Sequence, residues 1–149
     1  MEDAVTITLT DILDEPRASA VLYELLAERG KQESITHSTM PSPKEHEEFM
    51  RYHPYRIWYL ISSDPGLYVG ALNLTKHNEI GIAILKRYQR QGYARAAIEY
   101  VIANLTPFPP VPGLRGARWL ANISPQNEAS VLMFQKLGFS LIQHTYRKD

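Results

Sequence analysis

The segment over residues 79–105 constrains the fold of this 149-residue chain more than any other part. Residues 79–85 carry an isoleucine at every second position, which predicts a strand with the isoleucines on one face and Gly81 and Ala83 on the other, together with Glu79 and Leu85. Residues 91–105 repeat apolar side chains with the period of a helix. That stripe consists of Ala94, Ala97, Ile98, Val101 and Leu105. A strand that leads through a short loop into a helix indicates a mixed α and β domain.

The loop between these two elements has the composition of an anion-binding site. Gly92 lets the backbone approach a ligand closely, and the first turn of the following helix offers unpaired N–H groups at the positive end of its dipole. Arg90 and Arg95 flank this turn and can donate charge-assisted hydrogen bonds to phosphate. A plain strand-to-helix turn with solvated arginines fits the same residues, so this segment alone leaves both interpretations open.

Patterns along the rest of the chain predict one domain with the element order β-α-α-β-β-β-α-β-α-β. Strands are predicted at residues 5–9, 57–61, 67–75, 79–85 and 117–123, with one or two closing strands after residue 139. Helices are predicted from about 16 to 30, 43 to 53, 91 to 105 and 124 to 137. The second helix has the clearest start, because Ser42 can cap it, Pro43 suits its first position and Glu45 completes a capping box.

Composition excludes several kinds of site. The chain has no cysteine, which rules out a disulfide framework, a thiolate metal site and a cysteine nucleophile. Lys plus Arg number 16 and Asp plus Glu number 16, so the basic excess typical of a nucleic-acid or anionic-membrane binder is lacking. Residues 1–10 lack the pattern of a signal peptide, and no stretch approaches about 18 apolar residues, so we expect no membrane partner and a cytoplasmic location. No two histidines have zinc-site spacing, so no metal is expected.

Two motifs resemble the signatures of the GNAT N-acetyltransferase superfamily. Residues 89–94 (QRQGYA) fit the pattern Gln/Arg-x-x-Gly-x-Gly/Ala. Residues 121–139 resemble the second motif, in which an Asn opens a helix that ends in Lys-x-Gly-Phe. The predicted element order is also similar to the family fold over nearly the whole chain. The resemblance implies one GNAT-like domain over residues 1–149, of the α+β (mixed) class, with a central mostly antiparallel sheet of six or seven strands flanked by about four helices.

The resemblance implies acetyl-CoA as the co-substrate. In the family the backbone of the central strand binds the pantetheine arm, which corresponds here to Ile82, Ala83 and Ile84. The signature loop and the helix start surround the pyrophosphate, and the Asn of the second motif contacts the cofactor. The corresponding residues are Arg90, Gln91, Gly92, Tyr93, Ala94, Arg95 and Asn127. The small side chains on the other face of the strand would leave room for an extended arm.

The reaction implied by the resemblance is transfer of an acetyl group to a primary amine. Many members carry a Tyr acid seven residues after the motif Asn and a Glu base five residues before it, whereas this chain has Phe134 and Asn122 there. Glu79 is the best remaining base, acting through a water from the same strand face as the small residues. An exposed carboxylate at a strand end fits the same sequence.

The resemblance also implies that the acceptor pocket is formed by the loop 31–42, the helix 43–52 and the end of the chain. His37, Met40, Tyr55 and Tyr146 are its expected lining. The favoured acceptor is a small-molecule amine. Two alternatives remain: a protein N-acetyltransferase, against which Phe134 and Asn122 argue, and a non-catalytic acyl-CoA-binding module. The sequence also allows a homodimer.

Overall fold

The computed structural model describes residues 5–29, 40–64 and 66–149. The described residues form, in chain order, the strand β1 (Thr8–Asp11), the helices α1 (Ala18–Glu28) and α2 (Pro43–Tyr52), the strands β2 (Ile57–Asp64), β3 (Leu67–Leu74) and β4 (Ile80–Ile84), and the helices α3 (Tyr93–Asn104) and α4 (Glu128–Lys136). Short 3-10 helices follow β1 at Ile12–Asp14 and β4 at Lys86–Tyr88. Within these ranges, none of the helices combines the length and the hydropathy needed to cross a bilayer.

The four strands form an antiparallel sheet in the order β1-β2-β3-β4. Helices α3 and α4 cover one face, where Ala97, Ile98, Val101 and Phe134 pack against the sheet. Helix α1 covers the other face with Ala18, Leu22 and Leu25, and α2 joins it there. The isoleucines of β4 belong to the first core and Ala83 packs against the second, as the period-2 alternation predicts.

The helix boundaries follow the local signals in the sequence. The Ser42 hydroxyl accepts a hydrogen bond from the Glu45 N–H at 3.1 Å, and the Glu45 carboxylate accepts one from the Ser42 N–H at 3.4 Å. Pro43 occupies the first turn, so the predicted start of α2 is confirmed. His53 ends this helix in the left-handed region at φ 46°, and Gly138 follows α4 at φ 95°.

The prediction of six or seven strands is wrong, because the described residues form a sheet of four. In the predicted strand at residues 117–123, Leu120 alone forms a bridge, a parallel one to Glu79. The segment after Phe139 forms no bridge, and Leu141 and Ile142 are 74% and 71% exposed. Alternating side chains indicate an extended backbone, but a strand also needs a neighbour to complete its hydrogen bonds, and the pattern does not identify one.

A fully buried side chain at the β3–β4 turn holds the proline-rich connector in place. The Asn78 amide donates to the carbonyl oxygens of Phe108 (3.1 Å) and Gly116 (2.8 Å) and accepts from the Phe108 N–H at 2.7 Å. The connector therefore returns to the beginning of β4, where the Ile80 N–H donates to the Leu120 carbonyl at 2.8 Å. The segment around Leu120 therefore covers only the beginning of the β4 edge and leaves its C-terminal part open.

Candidate functional site

The outer edge of β4 presents unpaired backbone groups. The Leu85 N–H donates to the Val69 carbonyl at 2.9 Å, which places the odd-numbered residues of β4 in the hydrogen-bonded pairs with β3. The backbone of Ala83 therefore faces β3, whereas the N–H and C=O groups of Ile82 and Ile84 face the open edge. The backbone of Ile82 and the N–H of Ile84 have no backbone partner among the described residues.

The predicted phosphate loop has the geometry of an anion site. Arg90 and Gly92 adopt positive φ angles of 64° and 90°, and Gly92 is the N-cap of α3 and provides no side-chain hydrogen bond to it. The first N–H bonded within this helix belongs to Ala96, which donates to the Gly92 carbonyl at 3.0 Å. The N–H groups of Tyr93, Ala94 and Arg95 therefore lack an intrahelical partner and are free to bind a ligand.

The side chains around this loop are engaged to different degrees. The Arg95 guanidinium lies 2.7 Å from the Glu99 carboxylate one turn further along α3. The Gln91 amide donates to the Arg87 carbonyl at 3.4 Å. The exposed guanidinium of Arg90 forms no ion pair within the part of the chain that the structure describes. Of the two predicted phosphate-binding arginines, Arg90 is thus the one whose charge is not already paired.

Asn127 and Phe134 occupy helix α4 in distinct roles. The Asn127 side chain caps this helix by accepting a hydrogen bond from the Ser130 N–H at 3.3 Å, and its amide N–H groups point to no partner among the described residues. Phe134 is 3% exposed and packs edge-on against Phe139, with ring centroids 5.1 Å apart. Phe134 is therefore a core side chain.

A cavity of about 550 Å³ lies between helices α1 and α2 and the sheet. Of the four side chains expected to line the acceptor pocket, Met40 and Tyr55 line this cavity, whereas Tyr146 is 90% exposed in the terminal segment and His37 lies outside the described residues. The sheet side of the cavity is formed by β2, β3 and β4. The residues there are Trp58, Ala71, Asn73, Gly81, Ile82 and Ala83. The small side chains of β4 therefore make room for this cavity.

Burial shifts the pKa values of two titratable side chains that line the cavity. Burial raises the pKa of Tyr55, and the nearby Arg29 guanidinium opposes this shift in part. Burial lowers the pKa of His46 below its ordinary value, and the Glu47 carboxylate opposes that shift. His46 and Asn73 were missed by the sequence analysis, because nothing in their local pattern distinguishes a helix or strand residue that faces a cavity.

The candidate base Glu79 is held at the beginning of β4 by two side chains. The Thr75 hydroxyl donates to one carboxylate oxygen at 2.8 Å, and the Asn122 amide donates to the other. Alternation places Glu79 on the face of Gly81 and Ala83, although it lies outside the lining of the cavity. Asn122 thus occupies the position where the family resemblance suggests a Glu, and it binds the carboxylate of Glu79.

Three other histidines lie away from the cavity. The His53 ring binds the Tyr55 carbonyl through Nδ1 at 3.1 Å, after the end of α2. His77 is exposed in the β3–β4 turn, and His144 is exposed in the terminal segment. These three histidines do not line the cavity.

An open strand edge that leads to an uncapped helix start suits an elongated ligand with an anionic end. The cavity beneath the same strand suits a second, smaller molecule. The open edge and the cavity share the residue Ile82 of β4. The sequence model of the acetyltransferase (GNAT) domain matches residues 9–140, and the chain belongs to this family of acyltransferases, which use acetyl-CoA.

Solved structures share the fold at low sequence identity. A domain from Methanocaldococcus jannaschii aligns with a TM-score of 0.69 and 16% identity, covering 94% of this chain and 92% of its own. An acetyltransferase from Thermus thermophilus aligns at 0.65 and 20%, covering 94% and 90%. A spermidine N-acetyltransferase from Vibrio cholerae, in complex with CoA and spermine, aligns at 0.64 and 17%, covering 93% and 83%. No curated protein sequence matches this chain significantly.

Proposed function

We propose that this protein is an acetyl-CoA-dependent N-acetyltransferase that acts on the primary amine of a small molecule. The observation that carries the proposal is the position of Ile82. Its backbone lies at the open edge of β4, which leads to the phosphate loop, and the same residue lines the cavity. A ligand along the edge and a ligand in the cavity would therefore meet at this point of the strand.

The described residues fit acetyl-CoA. The Ile82 C=O and the Ile84 N–H would bind the amides of the pantetheine arm, since the Ile84 C=O already accepts a hydrogen bond from the Gln89 side chain at 2.9 Å, and Ala83 would border the arm without using its own backbone. The backbone between Arg90 and Arg95, which includes Gln91, Gly92, Tyr93 and Ala94, would surround the pyrophosphate with the N–H groups of the helix start. The free amide of Asn127 would add a donor from α4.

The proposed reaction is a direct acyl transfer. The amine nitrogen attacks the thioester carbonyl carbon, the new C–N bond forms, and the C–S bond breaks as the sulfur leaves and takes up a proton. The oxyanion requires a donor, and the Ile82 N–H can serve because it faces the open edge where the two ligands would meet, whereas the Leu85 N–H is already bound to Val69. Holding the two reactants side by side supplies much of the rate.

Glu79 is proposed to accept the amine proton through a water. Thr75 and Asn122 leave its carboxylate in a fixed orientation at the beginning of β4. The family resemblance suggests a Glu base at the position of Asn122, and the hydrogen bond from Asn122 places the carboxylate of Glu79 next to that position. Phe134 is buried in the core, so α4 contributes no acid at that position and the leaving sulfur takes its proton from water or from the substrate ammonium.

The Glu79→Gln variant tests this function. Loss of a general base lowers turnover by typically 10²–10⁴-fold, so we expect kcat to fall by about 10² or more at neutral pH. Activity should recover in part as pH rises, because more of the amine is then neutral. Glu48→Gln, an exposed change on α2, is the matched control and should retain wild-type turnover.

Calorimetry with CoA separates the two parts of the proposal. CoA binding should be the same in wild type and in Glu79→Gln, since this side chain is not among those assigned to CoA. Wild-type turnover in Glu79→Gln across the pH range would remove Glu79 from the mechanism. CoA binding without acetylation of any amine would favour a non-catalytic acyl-CoA-binding module.

A further inference from the structure

Asn73 of β3 extends its side chain across β4 on the cavity face of the sheet. It stands opposite Gly81 in the ladder between the two strands. A Cβ atom added to Gly81 would lie 2.9 Å from the Asn73 Cγ and 3.0 Å from its Nδ2, and closer still to its Oδ1. The glycine therefore leaves the space that the Asn73 amide occupies. This amide lies beside Ile82, where the two ligands would meet.

The Asn73 amide is available to a ligand. The side chain is half-buried and lines the cavity. Within the part of the chain that the structure describes, the amide forms no hydrogen bond, and in contrast to His46 Nε2 neither of its polar atoms is sealed from solvent. Its neighbours on this face include Trp58, Ala71 and Ala83. An unpaired amide among apolar side chains gains by binding a polar group of a ligand.

The strand register places this amide one step from the proposed base. The Thr75 N–H donates to the Glu79 carbonyl at 2.9 Å, and Asn73 and Gly81 form the next pair on the same face. Two residues of an antiparallel strand span about 6.8 Å. A water reaches partners at about 2.8 Å on either side, so one water between the two pairs can contact both the Glu79 carboxylate and an amine bound to Asn73.

From this arrangement we infer that Asn73 binds the acceptor amine directly and orients it for attack. The inference rests on the proposed acetyl transfer and deepens it by assigning the residue that holds the amine. The Asn73 Oδ1 accepts one N–H of the neutral amine. The other N–H donates to the water, which passes that proton to Glu79 as the C–N bond forms. The C–S bond breaks and the departing sulfur takes up a proton from solvent.

This role makes the site selective for primary amines. A primary amine has two N–H groups, one for Asn73 and one for the proton transfer. A secondary amine has a single N–H, which the reaction removes, so it cannot serve both partners. The amide oxygen also stabilises the positive charge that the nitrogen gains during the attack.

Turnover of a primary amine and of its N-methyl derivative tests the inference. The primary amines are benzylamine, putrescine and glucosamine, and the fastest of the three is compared with its N-methyl derivative. In Asn73→Ala, kcat/KM for the primary amine should fall by about tenfold or more, the contribution of a hydrogen bond to a charged group. The N-methyl derivative should lose much less, so the preference for the primary amine narrows.

Two further variants and a calorimetric measurement separate binding from folding. Asn73→Asp keeps an acceptor oxygen and should retain most of the preference. Asn104→Ala, at the exposed end of α3, is the matched control and should keep wild-type turnover. The affinity for CoA in calorimetry should be the same in all of these variants, because the Asn73 side chain is not assigned to the cofactor.

Gly81→Ala tests the placement of the amide independently. The three atoms nearest to the added methyl group all belong to the Asn73 side chain, so the variant should fold and displace the amide. Its loss of kcat/KM should be similar to that of Asn73→Ala, and the double variant should lose no more than either single one. Additive losses would show that the two positions act separately and would overturn the inference.

The outcomes distinguish this inference from the function on which it rests. Wild-type turnover of the primary amine in Asn73→Ala would overturn the role of Asn73 and leave the proposed function intact. Equal losses for the primary amine and its N-methyl derivative would do the same. CoA binding without acetylation of any of the three primary amines would overturn the inference together with the proposed function.

Discussion

Gly92→Ala provides the sharpest test of the phosphate loop. Gly92 has a φ of 90°, a conformation in which a side chain costs about 1–2 kcal/mol. An added Cβ would lie 3.0 Å from the Cγ2 atom of Val5, a side-chain contact that a shift of a few tenths of an ångström relieves. Since domains are stable by about 5–15 kcal/mol, we expect the variant to fold and to lose about 1–2 kcal/mol of unfolding free energy.

The effect on CoA should exceed the effect on stability. The methyl group would stand at the uncapped start of α3, where the proposed pyrophosphate site requires a close approach of ligand and backbone. We expect the dissociation constant for CoA to rise at least about tenfold, which corresponds to about 1.4 kcal/mol. Gly113→Ala is the matched control, because Gly113 has a φ of 76° and its Cβ would meet nothing within 4 Å.

Urea denaturation and titration calorimetry with CoA measure the two quantities. Both variants should lose a similar amount of stability, and Gly92→Ala alone should lose affinity. A folded Gly92→Ala with wild-type affinity would refute the placement of the pyrophosphate at this loop. An equal loss of affinity in Gly113→Ala would show that the effect arises from general destabilisation.

Two further predictions concern stability. Phe134→Ala should lower the unfolding free energy by about 3–5 kcal/mol in urea denaturation, because it empties a core position that is 3% exposed. Leu132→Ala is the control and should cost far less, because Leu132 is 57% exposed. Equal losses in the two variants would contradict the placement of Phe134 in the core. His46 has a lowered folded-state pKa, so below about 6.5 the unfolded chain binds the proton more readily and stability falls as pH falls. His46→Phe should therefore narrow the difference in melting temperature between pH 7 and pH 5, and a difference as large as in wild type would contradict the buried, neutral imidazole.

Elements whose signals are local could be predicted from the amino-acid sequence. Ser42, Pro43 and Glu45 set the start of α2, and the alternation in β4 assigns its isoleucines to one core and Ala83 to the other. Such signals succeed because a cap or a periodic face is complete within one or two turns of helix or a few residues of strand. The GNAT family could be identified for the same reason, since each of its motifs is a short continuous segment.

Other features depend on contacts between residues that are distant in the chain, and the sequence patterns do not predict these contacts. Asn122 meets Glu79 across 43 residues, and the Asn78 clamp that brings the connector back to β4 spans up to 38. The strand expected at residues 117–123 lacks a ladder because packing places only Leu120 beside β4. The hydrogen-bond partners of Glu79, the open edge of β4 and the burial of His46 all depend on how the helices pack on the sheet. A pattern within one segment carries no information about the groups that lie opposite it.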